Sequence, residues 1–160
     1  MTMTDPGPAI LFVCLGNICR SPLADGALRH RLAQAGLAWR VDSAGTGGWH
    51  AGDAPDARAI AVAAGHGVDI AGLRARQVRS DDFARFDLIL AMDHDNLARL
   101  HAIAPRDHAA DVRLALDLVD GRAGQAVADP YYGDASGFHA AWADAQAIAA
   151  GVLARFGVHG

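Results

Sequence analysis

The sequence predicts an α/β fold: one domain holding a parallel, twisted sheet with helices on both faces. Three observations carry that expectation. Apolar runs of strand length alternate with stretches whose apolar residues recur at helical spacing, and such alternation implies right-handed crossovers between parallel strands. At 160 residues and 52% hydrophobic, the chain has the length and composition for one sizeable core. No internal repeat, low-complexity tract or linker divides residues 1–160, although 1–8 read as a flexible N-terminal extension.

The first strand is the apolar run Ala9 to Val13. Ala24, Leu28 and Leu32 then recur every fourth residue, marking a helix that Gly36 stops. Trp39 to Ala44 reads as a second strand and leads into the glycine-rich loop Gly45 to Gly52. A helix follows from Asp56 through Ile60 and Ala64, ending at Gly65-His66-Gly67. Leu73 to Val78 is an irregular, arginine-rich connection, and Ser80 with Asp81 and Asp82 resembles a helix start. Asp87 to Ala91 is a short strand, apolar enough to be buried on both faces. Asp95 or Asn96 opens a helix through Leu97, Leu100 and Ile103 that ends at Pro105. Val112 to Leu116 is a weaker fourth strand. After a loop through Gly121, Gly124, Asp129 and Gly133, the last helix shows one apolar face: Phe138, Ala141, Trp142, Ala145, Ile148, Ala149, Val152 and Phe156.

Composition excludes several functions. The formal net charge is −4 and every Lys+Arg position is arginine, which argues against general nucleic-acid affinity. The local cluster Arg74, Arg76 and Arg79 reads most simply as a solvated loop with local ion pairs. No run approaches membrane-spanning length and no signal peptide is visible, so a cytoplasmic location without membrane attachment is expected. The eight histidines are scattered without ligand spacing, so no metal and no cofactor is expected. The two cysteines, Cys14 and Cys19, share one loop and cannot staple the fold.

That loop, Cys14-Leu15-Gly16-Asn17-Ile18-Cys19-Arg20-Ser21-Pro22, joins the first strand to the first helix. A loop of this size can turn successive backbone N–H groups inward beside the positive end of the helix, forming a bowl for an oxyanion. Such a bowl favours the thiolate form of a cysteine at its floor. Arg20 can present a planar fork to two phosphate oxygens, and Ser21 places a hydroxyl near the sulfur. Oxyanion transfer through a thiolate also needs a proton donor for the leaving oxygen, and Asp129, on a loop before Pro130-Tyr131-Tyr132, is the candidate. Trp49, Tyr131 and Tyr132 are loop-borne aromatics able to stack on a phenyl ring. In open parallel sheets, sites form beyond the carboxyl ends of the strands. Cys14, Ser43 and Met92-Asp93 all fall there.

The Cys14 to Pro22 stretch resembles the signature of the low-molecular-weight protein tyrosine phosphatase family. Asp42 to Thr46, Ala75-Arg76-Gln77, Asp87 to Asp93 with Asn96-Leu97, and Asp129 to Gly133 match in the same order and spacing, so the resemblance runs from Ile10 to Phe156. It implies four parallel strands and metal-free hydrolysis of phosphotyrosine, and of small aryl phosphates, through a phosphocysteine intermediate. Cys14 is then the nucleophile, Arg20 binds phosphate and the transition state, and Asp129 is general acid, then base. Leu15, Gly16, Asn17, Ile18 and Cys19 complete the phosphate loop, with Trp49, Tyr131 and Tyr132 as specificity walls. Asn17 and Ser43 match a pair that holds the loop's shape, Ser21 assists the departing thiolate, and Asp93 is at most supporting. The implied partner is a phosphotyrosine-containing protein, a tyrosine kinase among the candidates; oligomeric state is left open. One departure stands out. Relatives often pair an acid on the first helix, here Asp25, with a histidine where this chain has Leu73, so that pair is not carried over. His66, between two glycines, reads as structural.

Two rival functions share these features. A thiol-dependent arsenate reductase of the same fold relays oxidation through later cysteines, and none follows Cys19. A non-catalytic phosphotyrosine-binding module would not need Cys14, Arg20 and Asp129 together. Cys19 itself suggests a protective role, trapping oxidised Cys14 as a disulfide; the plainer reading is a small apolar residue behind the loop.

Overall fold

A computed structural model describes residues 7–158, so most of the extension expected over 1–8 lies outside the described residues. Four strands, β1 (Ala9–Cys14), β2 (Arg40–Gly45), β3 (Leu88–Ala91) and β4 (Asp111–Leu114), form one sheet in the order β2-β1-β3-β4. Every pairing is parallel. The helices are α1 (Arg20–Ala35), α2 (Ala57–Gly65), α3 (Asp82–Arg85), α4 (His94–Ile103) and α5 (Ala135–Arg155).

Strand β1 is buried along its whole length, which explains why it reads as a continuous apolar run. Its residues alternate between two cores. Ile10, Phe12 and Cys14 join Leu28, Val62, Trp142 and Ile148 on one face, while Ala9, Leu11 and Val13 join Phe83, Ile89 and Leu100 on the other. Cys14 therefore ends the strand on the face covered by α1, α2 and α5. The chain reverses its winding direction between β1 and β3, and a crevice opens there beyond the carboxyl ends.

The final helix buries the stripe predicted for it from Phe138 to Val152. Phe156 is the exception: it lies just past the helix, 39% exposed, with its ring edge-on to Trp39 at 5.5 Å between centroids. His66 stacks on Trp142 at 5.3 Å, as a structural residue would.

Three local expectations are corrected. The fourth strand stops at Leu114, because the chain turns into a short 3-10 helix over Ala115–Leu118, where the Asp117 carboxylate accepts from the Leu114 N–H at 3.2 Å. Helix α4 is capped by Asp93, not by Asp95 or Asn96. Asp93 Oδ1 accepts from the Asn96 N–H at 2.7 Å while Asn96 Oδ1 accepts from the Asp93 N–H at 3.2 Å, a reciprocal capping box. Helix α3 does begin at Asp82, as the Ser80 segment predicts, without a side-chain cap; Asp82 is fully buried and turned back to accept from Arg76 and from the Arg79 N–H. Arg76 is consequently no solvated loop residue. Its guanidinium joins Asp82 and Asp42 and ties the arginine-rich segment to β2 and α3.

Candidate active site

The loop from Cys14 to Arg20 crosses the crevice between β1 and α1. The N–H groups of residues 15 to 19 donate to no acceptor among the described residues, while the Leu15 and Ile18 carbonyls turn away to accept from Gly47 and Asp56. Asn17 makes this path possible. It holds φ +59°, the only left-handed non-glycine among the described residues, a conformation asparagine tolerates better than most residues. Its side chain fixes the turn from three directions. Nδ2 donates to Ser21 Oγ at 2.8 Å and to Ser43 Oγ at 2.9 Å, and Oδ1 accepts from the Arg76 N–H at 3.0 Å. Gly45 is required beside the loop, since a Cβ there would sit 2.7 Å from the Leu15 carbonyl oxygen.

At the loop's start, Cys14 Sγ lies 3.0 Å from Ser21 Oγ. Ser21 Oγ already accepts from Asn17, so its own hydrogen is free to be given to the sulfur. At its end, Arg20 is 4% exposed and held most closely through Nη1. Nη1 donates to Asp93 Oδ2 at 2.8 Å and to the Val127 carbonyl at 3.0 Å, whereas Nη2 reaches Asp129 Oδ2 only at 3.5 Å. The Nε–Nη2 edge is thus left for a ligand. Asp93 fixes the guanidinium while capping α4, which gives the residue marked only as supporting two structural tasks.

A pocket of about 310 Å³ opens over this arrangement, lined by Cys14, Leu15, Gly16, Ile18, Cys19 and Arg20 on the floor. Asp129, Trp49, His50, Tyr131 and Tyr132 form its walls. Trp49 is 73% and Tyr132 93% exposed, whereas Tyr131 packs partly on the main core. The Asp129 loop is anchored from below by Arg58, which donates to the Tyr131 carbonyl at 3.0 Å and places its guanidinium 4.6 Å from the centre of the Phe138 ring. Of the residues singled out in the sequence, Asn17, Ser21, Ser43 and Asp93 do not line the pocket; they brace those that do. Sequence reading missed His50 and Arg58 in this neighbourhood and took Arg76 for part of a solvated loop. His50 stands against Gly16, where a Cβ would meet its ring at 3.1 Å; nothing in local spacing marks such a contact.

Two buried groups behind the loop are displaced from their ordinary ionisation. Burial, reinforced by the negative charge of Asp56, pushes the Cys19 thiol up to about 12, so it is protonated at neutral pH. Both cysteines are free and buried. Asp25 is fully buried on α1; its Oδ1 accepts from Arg29 Nε, and Oδ2 has no hydrogen-bond partner. Burial pushes the Asp25 carboxyl up, against the opposing pull of Arg29. A carboxyl raised in the folded state contributes stability that is full below its unfolded value and is lost as pH rises through the folded one. Melting temperatures of the wild type and Asp25→Asn should therefore diverge as pH rises from about 4 toward neutrality, the wild type losing ground. A difference independent of pH would contradict the assignment.

Among the described residues, no group of three or more His, Cys, Asp or Glu side chains is placed to hold a metal ion, and no helix is long and apolar enough to cross a membrane.

The comparisons agree with this geometry. Residues 9–156 match the family model for low molecular weight phosphotyrosine protein phosphatases. A low molecular weight protein-tyrosine-phosphatase of Streptomyces coelicolor is 44% identical over 150 residues, covering 91% of each chain. A protein tyrosine phosphatase of Entamoeba histolytica, crystallised with Hepes in its active site, superposes with a TM-score of 0.87 at 33% identity over 94% of this chain and 97% of its own. A Drosophila arginine phosphatase superposes with a TM-score of 0.88 at 30% identity, covering 95% and 99%. A chain that carries the family's loop at a β1–α1 junction, on its four-stranded sheet and with matches across nearly its full length, belongs to the low molecular weight phosphotyrosine protein phosphatase family.

Proposed function

We propose that the protein hydrolyses phosphotyrosine in proteins, and small aryl phosphates, by two phosphoryl transfers through Cys14. The observation that carries the reading is the convergence of Cys14, Arg20 and Asp129 in one pocket walled by aromatic side chains. The phosphate oxygens take the unused N–H groups of residues 15 to 19 and the Nε–Nη2 edge of Arg20, a charge-assisted bidentate contact. Cys14 Sγ attacks phosphorus as the bond to the phenolic oxygen breaks, and Asp129 delivers its proton to that oxygen. In the second step Asp129 takes a proton from water, which attacks the phosphocysteine. The sulfur leaves as thiolate, stabilised by the Ser21 hydroxyl. Trp49, Tyr131 and Tyr132 hold the ring of the substrate. A cytoplasmic phosphotyrosine protein, such as a tyrosine kinase, is the partner this chemistry fits.

A side-by-side assay of phosphotyrosine, phosphoserine and phosphoarginine hydrolysis and of arsenate reduction tests the reading. Phosphotyrosine is expected to be turned over fastest. Preferential phosphoarginine hydrolysis, the activity named for the Drosophila relative, would overturn the substrate assignment, and thiol-dependent arsenate reduction would overturn the reaction class.

The same loop supports a protective step. Peroxide oxidises Cys14 to a sulfenic acid, and the Cys19 thiol displaces its hydroxyl as water to leave a Cys14–Cys19 disulfide. Cys19→Ser should recover much less activity on thiol treatment after peroxide than the wild type does. Equal recovery would show that Cys19 is only packing.

A further inference from the structure

Trp49 lines the candidate active site and also a separate open cleft of about 460 Å³, shared with Thr46, Gly47, Gly48, Gln77 and Arg99. Its glycines bear directly on its shape. A Cβ on Gly47 would fall 1.9 Å from the Trp49 ring, and one on Gly48 would meet the Gln77 side chain at 3.0 Å. The Gln77 side-chain amide is fixed in place by donating to the Thr46 carbonyl at 3.1 Å. The cleft is therefore a shaped surface with Trp49 as its shared wall.

Arg99 is the one charged residue lining this cleft. It is exposed on α4, and its guanidinium makes no ion pair or hydrogen bond among the described residues. Most arginines here are engaged otherwise: Arg20, Arg29, Arg58, Arg76, Arg79, Arg113, Arg122 and Arg155 all pair with aspartates. On a chain of net charge −4, an unpaired guanidinium in a cleft next to the active site is a local positive point in a repulsive field for acidic peptides.

We propose that this cleft is a second substrate subsite, in which Arg99 binds the carboxylate of an acidic residue flanking the phosphotyrosine. The proposal rests on the phosphatase reading and adds a sequence preference to it. Trp49 separates the two positions, so a peptide whose phosphotyrosine ring packs on one side of the indole can pass over it and place a neighbouring side chain on the other. An exposed charge contact of this kind has a modest effect, felt in substrate capture and weakened by salt.

The test measures kcat/KM for phosphotyrosine peptides with aspartate on the N-terminal side, aspartate on the C-terminal side, or alanine on both, with p-nitrophenyl phosphate as the substrate that cannot reach the cleft. The wild type should favour one aspartate peptide over the alanine peptide by about 2- to 5-fold at low salt. Arg99→Ala should remove that preference, and Arg99→Glu should reverse it, both leaving p-nitrophenyl phosphate turnover unchanged. A wild type without preference, or a preference that survives Arg99→Ala, would overturn the subsite. Failure of the wild type to hydrolyse p-nitrophenyl phosphate would instead strike the phosphatase reading itself.

Discussion

Cys14→Ser is expected to lower p-nitrophenyl phosphate hydrolysis by on the order of 10³-fold or more while phosphate still binds. The hydroxyl is a far weaker nucleophile than a thiolate, and the substitution removes little else. The loop's path is set by Asn17, braced through Ser21, Ser43 and the Arg76 N–H, and none of these bonds needs the sulfur. Its unused N–H groups and the Arg20 edge remain to hold an anion. Steady-state kinetics with phosphate binding by calorimetry separates the two effects. A loss of only a few-fold, or parallel loss of binding, would end the assignment of Cys14 as nucleophile.

Asp129→Ala is the second large effect, a fall in kcat of about 10²–10⁴-fold for substrates with basic leaving groups. Asp129 stands at the pocket rim with Oδ2 toward Arg20 at 3.5 Å and Oδ1 accepting from the Tyr131 N–H at 3.1 Å. That second bond orients the carboxyl without occupying both oxygens. The Arg20 contact is long, so it yields readily to a phosphate entering between them. A phenolate that leaves easily needs little protonation, whereas an unactivated tyrosine needs a full proton. The loss should therefore grow with leaving-group pKa across a series of aryl phosphates. A loss equal across the series would leave Asp129 with a binding role alone.

The sheet and the loop were legible because both are written in local pattern. β1 is buried on two faces and so is apolar throughout, and the α5 stripe repeats at helical spacing because one face meets the core. Cys14, Ser43 and Asp93 could be placed together because parallel strands bring their carboxyl ends to one edge, whereas Asp129 was placed by the chemistry the thiolate needs and by the resemblance of its loop. What stayed hidden was the pairing of charges distant in the chain. Arg20 with Asp93, Arg76 with Asp42 and Asp82, and Arg58 with the Tyr131 carbonyl span from 6 to 73 residues. Spacing shows such residues only as polar, and the fold decides their partners. The helix start at Ser80 to Asp82 was legible, but the inward turn of Asp82 toward Arg76 was not. Asp93 was legible as an acid at a strand end, but its capping of α4 competes on equal terms in sequence with Asp95 and Asn96. Arg99 carried no signal at all, because the cleft it shares with Trp49 is made by the fold and not by spacing along the chain.

The central claim is that the phosphoryl group passes through Cys14, and trapping it there tests the claim most directly. In Asp129→Ala the second step loses its general base, so the intermediate should build up during turnover of an aryl phosphate with a good leaving group. Rapid denaturation followed by peptide mass spectrometry should find phosphate on the peptide containing Cys14, in the presence or absence of Cys19→Ser, and none when Cys14→Ser is added. Phosphate on another residue, or turnover by this variant with no phosphorylated peptide at any time, would contradict the account.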